Sequence, residues 1–415
     1  MSRGPGVSDD ADVVVVGAGL SGLRAAQVLH AAGVAVMVFD SAARVGGRLA
    51  SATIDGFILD EGFQLINPAY PELKATGVLG DFDLRRFAPA ARFGEGRDAV
   101  TVGDPRGDVR RALGSLRHPD LSRVDALRLA RLIAEVRLRP VRTLLAGHDT
   151  TTRLALLERG IRAQAVDGLL QPFLRGALLD DDLETSWHYC ELVLKSLVAG
   201  RPGTHPRGVR ALPDAMASSL APAQLHLNEP VVSVSTDGVT TTQRHYRSRA
   251  VIVASDPSST HRLLGTPDVA WRSQTTWWWS LPSLRGTDQL RIETRRRALS
   301  SALDLSSVAP ERAPRGRSLV AASVNGEATG VDDRDIRDDV ARLYDVSAAE
   351  VALIGRTSVR RALPEVATPL NLRRSQDVHG IAVAGDYLQT PSIQGALVSG
   401  RRAAHQVLER LRADG

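Results

Sequence analysis

The chain has 415 residues, of which 43% are hydrophobic, 24% charged and 4% aromatic, and its formal net charge is +5. This composition is typical of a globular protein, and the length allows more than one packed region, because single cores stop growing at about 250–300 residues. Scattered arginines and few aromatic residues argue against nucleic-acid binding, which needs basic residues clustered beside stacking aromatic side chains. No apolar run approaches the roughly 20 residues needed to span a bilayer.

The N-terminus and the single cysteine both bear on location. Residues 1–11 carry no apolar segment, so we expect a disordered lead rather than a secretory signal. Cys190 is the only cysteine, which excludes an internal disulfide and a thiolate metal site. A reducing cytoplasm is therefore the expected location.

The first recognisable elements form a strand–helix–strand unit. Residues 13–16 are four consecutive valines, as expected of a strand buried on both faces of a parallel sheet. Residues 17–22 follow with the pattern GxGxxG, and apolar residues then recur every third position up to a stop at Gly33. Residues 34–39 form a second apolar strand, and Asp40 lies at its end.

Each part of this unit suits the binding of a dinucleotide. Gly17 permits a tight turn, Gly19 lets the backbone approach a pyrophosphate, and Gly22 allows the helix to pack closely on the strand. The helix N-terminus presents free N–H groups and a positive dipole end to the phosphates. Asp40 is placed to accept hydrogen bonds from the adenosine ribose. The sequence therefore predicts a dinucleotide site in a Rossmann-type fold.

The segment after the second strand carries a family resemblance. Residues 44–48, with the sequence RVGGR, resemble the RxGGR stretch of the FAD-dependent amine oxidase and phytoene desaturase superfamily. The resemblance implies FAD rather than NAD as the cofactor. Gly46 and Gly47 would let the loop lie against the pyrophosphate, and Arg48 could neutralise it.

Short segments farther along the chain resemble the same superfamily. Residues 57–64 are similar to its D-x-G segment, which runs beside the flavin. Residues 172–176 and 183–186 resemble the helical part of the substrate region in the desaturase-like branch. Residues 206–213 resemble the return of the chain into the cofactor domain. Residues 229–234 resemble a strand of the superfamily that passes the adenine, and the backbone of Val231 would contact it.

The C-terminal segments complete the resemblance. Residues 249–254 and 380–386 read as further buried strands, and the second of these ends in Gly-Asp. In similar proteins the acid, here Asp386, holds the ribityl chain. Residues 392–404 begin a long helix whose N-terminus would face the flavin pyrimidine, where reduced flavin carries negative charge that a helix dipole stabilises.

These segments predict the fold class and the cofactor site. We expect an α/β protein with a Rossmann-type FAD-binding domain built on a parallel sheet (residues 12–75, 206–265 and 351–415), interleaved with a substrate domain of mixed sheet plus helices (residues 76–205 and 266–350). The residues predicted to bind FAD all lie in the matching segments: Gly17, Gly19, Leu20, Ser21, Gly22, Asp40, Ser41, Arg44, Gly46, Gly47, Arg48, Gly62, Phe63, Gln64, Val231, Ala254, Gly385, Asp386, Ser392, Ile393, Gln394 and Ala396.

Two segments of the substrate region are open to more than one interpretation. Residues 121–145 predict a helix with apolar positions among many arginines, either facing the core or touching a membrane surface that supplies lipophilic substrate. Residues 275–280 read as a strand with three consecutive tryptophans. Either Trp278 or its two neighbours could line the substrate cavity, or all three could simply pack in the core.

The sequence contains no motif for hydrolytic or metal chemistry. It has no G-x-S-x-G elbow, HExxH helix or GxxxxGK loop, and His188 with Cys190 is not a metal site, so no metal is predicted. Catalysis therefore falls to the flavin. No catalytic acid or base is nominated.

The resemblance is closer to the desaturase and protoporphyrinogen oxidase-like branch. The aromatic cage residue of the amine oxidases is absent before the last helix, where Ser392 stands, and residues 272–279 contain no lysine to lie near flavin N5. These departures favour dehydrogenation or desaturation of a mainly apolar small molecule by hydride transfer to flavin N5. A peroxide-releasing amine oxidase, a flavin isomerase without net redox change and a non-catalytic flavin-binding partner protein remain alternatives. The electron acceptor and oligomeric state stay open.

Overall fold

A computed structural model describes residues 10–62, 65–103, 118–295, 298–372, 374 and 376–413. The predicted disordered lead lies outside these residues except for Asp10 and Ala11, which already belong to the first strand. The strands, in chain order, are β1 (Asp10–Val16), β2 (Val36–Phe39), β3 (Ser51–Ile54), β4 (Phe57–Asp60), β5 (Arg85–Arg86), β6 (Ala90–Phe93), β7 (Val100–Gly103), β8 (Gly203–Thr204), β9 (Leu225–His226), β10 (Val231–Ser235), β11 (Gly238–Thr241), β12 (His245–Val253), β13 (Trp271–Pro282), β14 (Leu290–Ile292), β15 (Leu299–Asp304), β16 (Arg317–Asn325), β17 (Ala352–Pro364), β18 (Asp377–Val378) and β19 (Ile381–Val383).

The helices lie between these strands, some singly and six in one run from Arg123 to Ala199. The α-helices, in chain order, are α1 (Leu20–Ala31), α2 (Pro71–Ala75), α3 (Arg123–Leu138), α4 (Val141–Leu144), α5 (Thr152–Glu158), α6 (Ala163–Ala165), α7 (Gln171–Leu178), α8 (Trp187–Ala199), α9 (Ala211–Ala217), α10 (Pro257–Leu264), α11 (Asp333–Tyr344) and α12 (Ile393–Ala413). A π-turn, Val166–Leu170, precedes α7, and short 3₁₀ turns span Gly96–Asp98, Pro222–Gln224, Leu305–Ser307, Pro310–Arg312, Ala348–Glu350 and Asp386–Leu388.

The first large sheet has a parallel centre. Its strands follow the order β10-β11-β12-β1-β2-β9, with β19 beside the end of β12 and β18 beside β19. The pairs β1–β2, β1–β12, β2–β9 and β12–β19 are parallel. The four valines of β1 are buried on both faces, as the sequence predicts. This α/β arrangement confirms the predicted fold class.

Two helices from opposite ends of the chain pack together on this sheet. α1 and α12 contact each other along their lengths, and their apolar faces join β1 and β2 in one hydrophobic cluster. A Cβ atom at Gly400 of α12 would lie 2.1 Å from the Ser21 carbonyl oxygen of α1. Glycine at that position therefore sets how closely the two helices approach.

The second large sheet is mixed and mostly antiparallel, in the order β17-β13-β16-β15-β14-β6-β7. The domain boundary predicted at residue 351 placed β17 in the cofactor region, but β17 pairs along β13 in this sheet. The three consecutive tryptophans of β13 are all buried. Trp277 and Trp279 pack towards α11, whereas Trp278 faces the β3–β4 hairpin side, so all three serve the core.

A helical layer covers one side of the second sheet. The segment predicted as a helix over residues 121–145 is α3 followed by the short α4. Its inner face, with Leu132 and Val136, packs in a cluster that also contains Leu174 and Leu178 of α7. Among the residues that the structure describes, no helix is both long enough and apolar enough to span a lipid bilayer.

Candidate functional site

A cavity of about 540 Å³ lies where the carboxyl ends of the parallel strands meet the second sheet. Ligands of open α/β sheets bind in this crevice beyond the strand ends. Most of the residues predicted from the sequence line it: Gly17, Gly19, Leu20, Ser21, Asp40, Ser41, Gly46, Gly47, Arg48, Gly62, Val231, Ala254, Gly385, Asp386, Ser392, Ile393 and Ala396. The cavity volume is in the range of cofactor sites.

The glycine turn between β1 and α1 forms one end of the cavity. Gly17 has φ +109°, a conformation that side chains rarely adopt. A Cβ atom at Gly22 would lie 1.8 Å from the Gly17 carbonyl oxygen, whereas a Cβ atom at Gly19 would meet nothing within 4 Å. No side chain caps α1 at Gly19, so the first N–H groups of the helix are available to a ligand in the cavity.

Asp40 supports this turn as well as facing the cavity. Its Oδ2 accepts a 2.7 Å hydrogen bond from the Ala18 N–H, and its Oδ1 accepts one of 2.8 Å from the Ala42 N–H. A carboxylate has about four acceptor positions, so both oxygens can still accept ribose hydroxyls. Asp40 therefore joins the turn to the end of β2, and its carboxylate oxygens keep acceptor positions for a ligand.

The RVGGR loop lies against the glycine turn. Gly46 and Gly47 have φ +110° and +56°, and Gly46 forms a β-bridge with Gly19. Arg44 does not line the cavity itself; its guanidinium donates to Glu61 and to the Gly47 carbonyl.

Arg48 links this loop to the C-terminal part of the chain. Its Nη2 lies 2.6 Å from Asp386 Oδ1, and its Nη1 donates to the Ala362 carbonyl at 3.1 Å. Both Arg48 and Asp386 face the cavity. The structure thus joins two segments that lie 338 residues apart in the sequence.

The N-terminus of α12 forms another part of the wall. Ile393 and Ala396 face the cavity, and Ser392 Oγ accepts a 3.0 Å hydrogen bond from the Gly395 N–H. Gln394 points away, since its Oε1 accepts from the Glu72 N–H at 3.0 Å. Two helix N-termini, those of α1 and α12, therefore open into one cavity, where both dipoles favour negative charge.

The comparisons with known proteins agree with this geometry. Residues 20–408 match the family model described as flavin containing amine oxidoreductase. The chain belongs to this family. The predicted superfamily is therefore confirmed, together with FAD as the cofactor and an oxidoreductase role.

Sequence similarity to individual flavoproteins is confined to short segments, whereas similarity of fold extends over nearly the whole chain. The chain is 50% identical over 93 residues to putrescine oxidase from Kocuria rosea, covering 22% of this chain and 18% of that one. It is 47% identical over 73 residues to protoporphyrinogen oxidase 2 from Arabidopsis thaliana, covering 18% and 14%. The aligned segments thus span less than a fifth of either relative.

A solved structure shows the same fold over nearly the whole chain. An oxidoreductase from Methanosarcina mazei superposes with a TM-score of 0.75 at 17% identity, covering 96% of this chain and 99% of the other. At that identity the likeness establishes the fold alone.

The cavity of this flavoprotein fits an extended FAD. Space for a pyrophosphate exists beside Gly19, where a Cβ atom would be unopposed, and the uncapped N–H groups of α1 are suitable donors. Asp40 and Asp386 offer carboxylate acceptors at two separate points of the wall. These are the positions at which the resemblance implies ribose and ribityl contacts.

Some predicted residues lie elsewhere. Gly22, Arg44 and Gln394 do not line the cavity of the flavoprotein, for the packing and hydrogen-bond reasons given above. Phe63 and Gln64 lie outside the described residues. The binding role of each predicted residue stays a prediction.

The cavity also has walls that the sequence motifs did not indicate. One is formed by β12 and α10, including Ser255, Asp256, Ser259 and Arg262. The sequence Ser-Asp-Pro directly after a buried strand is a helix-start signal that could have located it. Asp256 does cap α10, accepting hydrogen bonds from the next two N–H groups beyond Pro257.

A second additional wall comes from the other sheet and the helical layer. We name this the substrate wall; it consists of Gly176, Ala177, Leu179, Gln274, Val359, Ala362 and Leu363. Its residues lie on or beside α7, β13 and β17, which no local motif connects. Gln274 is its one polar side chain, and it has no ionisable group.

The buried hydroxyl of Tyr387, which faces the cavity, is held neutral. Burial raises the pKa of Tyr387 to about 12, so its hydroxyl stays protonated and donates to Thr260 Oγ1 at 3.3 Å. Within the described part of the chain, no group of three His, Cys, Asp or Glu side chains is arranged to hold a metal ion.

Cys190 gives a direct test of the packing around α8. Burial raises the pKa of its thiol to about 12, so at pH 8 almost no thiolate forms in the native protein, whereas unfolding returns the pKa to about 8.5. We expect iodoacetamide to leave native protein unmodified and to alkylate one thiol in denaturant, as measured by mass spectrometry. Rapid alkylation of native protein at pH 8 would contradict this burial.

Proposed function

We propose that the enzyme dehydrogenates or desaturates a mainly apolar organic small molecule, whose carbon would give a hydride to flavin N5 when FAD is bound and whose second hydrogen would leave as a proton to solvent. The substrate wall is the observation that carries this proposal. It is built from small and aliphatic residues, with Gln274 as its one polar group. A wall of this kind suits a hydrocarbon-rich substrate, and it contains no carboxylate to pair with a charged ammonium group; the Glu61 carboxylate lines the cavity outside this wall.

The chain's own residues would act mainly by placement. FAD, when bound, supplies the two-electron acceptor. The aliphatic residues of the substrate wall would exclude water and hold a C–H bond in position, an effect that contributes through proximity. Gln274, which is 7% exposed, would orient the substrate through its amide.

Anaerobic mixing with candidate substrates tests the reaction class. Stoichiometric bleaching of the flavin by lipophilic, non-amine substrates supports the proposal. Bleaching by amines alone, with ammonia and peroxide released in air, would instead identify an amine oxidase, which the local similarity to putrescine oxidase keeps as the second candidate. Product formation without net flavin reduction would identify an isomerase.

Replacing Gln274 tests the polar contact of the substrate wall. We expect Gln274→Leu to keep full flavin content but lower kcat/KM by about fivefold, the effect of losing one net hydrogen bond of about 1 kcal/mol. Stopped-flow measurement of flavin reduction gives the rate. Gln243→Leu, on an exposed turn, is the matched control and should match the wild type; unchanged reduction in Gln274→Leu would remove Gln274 from the proposed site.

Location and partners are proposed on the same basis. We propose a cytoplasmic protein that makes peripheral contact with a membrane, since a lipophilic substrate is most concentrated there. The lone, buried cysteine is compatible with a reducing compartment.

A further inference from the structure

We propose that the outward face of α3 and α4 docks on an anionic phospholipid surface. Large apolar side chains project from this face: Val124, Leu127, Ile133, Leu138 and Val141 are 55%, 73%, 38%, 78% and 44% exposed. We name these five residues the apolar face. They account for five of the nine large apolar side chains that are exposed among the described residues. Apolar exposure is therefore concentrated in one short segment.

Arginines surround the apolar face. Six lie in the same segment and are all exposed: Arg123, Arg128, Arg131, Arg137, Arg139 and Arg142. The segment contains two acids, and only Glu135 offsets part of this charge, since it also lies 3.9 Å from Arg139. Asp125 is fully buried, 2.8 Å from the Arg162 guanidinium, and Glu135 lies 2.9 Å from Arg131.

This combination fits a lipid surface better than other partners. A helix with exposed apolar residues among arginines lies in the plane of an anionic bilayer, where each basic residue adds attraction. Residues 123–142 contain no aromatic residue, so the stacking that supports single-stranded nucleic-acid binding is missing. In a two-fold dimer through this face, the two sets of arginines would meet each other and repel.

The opposite face of α3 leads toward the cavity. Leu132 and Val136 pack in one cluster with Leu174 and Leu178 of α7, and α7 also contributes Gly176 and Ala177 to the substrate wall. Docking would therefore place the membrane against the helical layer that bounds the site. This docking surface rests on the peripheral membrane contact proposed above, but it is defined by exposure and charge, so loss of vesicle binding would leave the proposed reaction untested and unchanged.

Vesicle sedimentation of the full-length, FAD-loaded protein tests the surface. We expect binding to vesicles of phosphatidylcholine with phosphatidylglycerol, weakening as salt rises, and little binding to phosphatidylcholine alone. Leu127→Ser with Leu138→Ser should weaken binding by at least about tenfold, because two exposed leucines lose their transfer into lipid. Arg137→Gln with Arg142→Gln should weaken it by roughly 25-fold, about fivefold for each charge.

Matched variants away from the surface provide the control. Val232→Ser with Leu353→Ser removes two other exposed apolar side chains, and Arg285→Gln with Arg334→Gln removes two exposed arginines elsewhere. Both should bind vesicles like the wild type, and all variants should keep flavin and melt cooperatively. Equal vesicle binding by all four double variants would overturn the proposal, as would a wild-type dimer that Leu127→Ser with Leu138→Ser converts to monomer.

Discussion

Gly19→Val is expected to yield a folded, colourless protein. The apoprotein backbone accommodates a side chain at this position, because Gly19 has an ordinary φ of −73° and a Cβ atom there meets nothing within 4 Å. The added side chain would instead occupy the space proposed for the pyrophosphate. Crowding and lost phosphate hydrogen bonds together should weaken FAD binding on the order of a thousandfold. The measurement is flavin absorbance per protein, followed by titration of apoprotein with FAD.

Two neighbouring variants separate cofactor loss from misfolding. Gly19→Ala adds one carbon and should retain part of the FAD affinity. Gly22→Val should impair folding itself, since its Cβ atom would lie 1.8 Å from the Gly17 carbonyl oxygen. In circular dichroism melts, Gly19→Val should therefore have the melting temperature of the wild-type apoprotein. Gly22→Val should have a much lower melting temperature. A yellow Gly19→Val protein with full flavin content would refute the assignment of the glycine turn.

The sequence predicted those parts of the fold in which function constrains consecutive residues. The unit from β1 to Asp40 was predictable because one strand, three glycines, a helix and an acid must occur in order to hold a dinucleotide. The strand β19 and the helix α12 were predictable for a similar reason. Their meeting with the first unit, through Arg48 and Asp386, followed from the family resemblance and not from any local pattern.

The substrate wall could not be predicted, because it is assembled by tertiary packing. Gln274, Val359 and Leu363 lie on two strands that become neighbours only in the folded sheet, and Leu179 follows a helix of the other layer. Nothing in the local sequence of any one of them indicates a ligand.

The sequence itself could have decided two assignments: the domain to which β17 belongs and the position of the three tryptophans. β17 carries three arginines among its 13 residues, and this composition is not typical of a strand buried in the parallel sheet of the cofactor domain. The three tryptophans could have been assigned to the core from the start. Successive residues of a strand face opposite sides, and all of them are buried when both sides of the strand are covered.

Asp386→Ala is expected to weaken FAD binding by roughly tenfold to a hundredfold, the range for losing a hydrogen bond to a charged group. Asp386 is 6% exposed, faces the cavity and holds Arg48 at 2.6 Å. Its removal would take away the proposed ribityl acceptor and also the ion pair that helps to hold the Arg48 guanidinium on the wall. The fold should persist, because the Arg48 side chain is 38% exposed and can be solvated by water. Equilibrium titration of apoprotein by flavin fluorescence measures the change.

Controls must distinguish lost FAD contacts from a general loss of stability. Asp377→Ala removes an acid that is likewise paired with an arginine, Arg410, outside the cavity, so it should lower the melting temperature without changing FAD affinity. Asp386→Asn keeps an acceptor oxygen and should bind FAD more tightly than Asp386→Ala. If Asp386→Ala bound FAD as tightly as the wild type, the acid would serve only to position Arg48. If Asp377→Ala weakened FAD binding equally, the effect would be one of sheet stability, because the two acids lie on the same C-terminal segment but only Asp386 reaches the cavity.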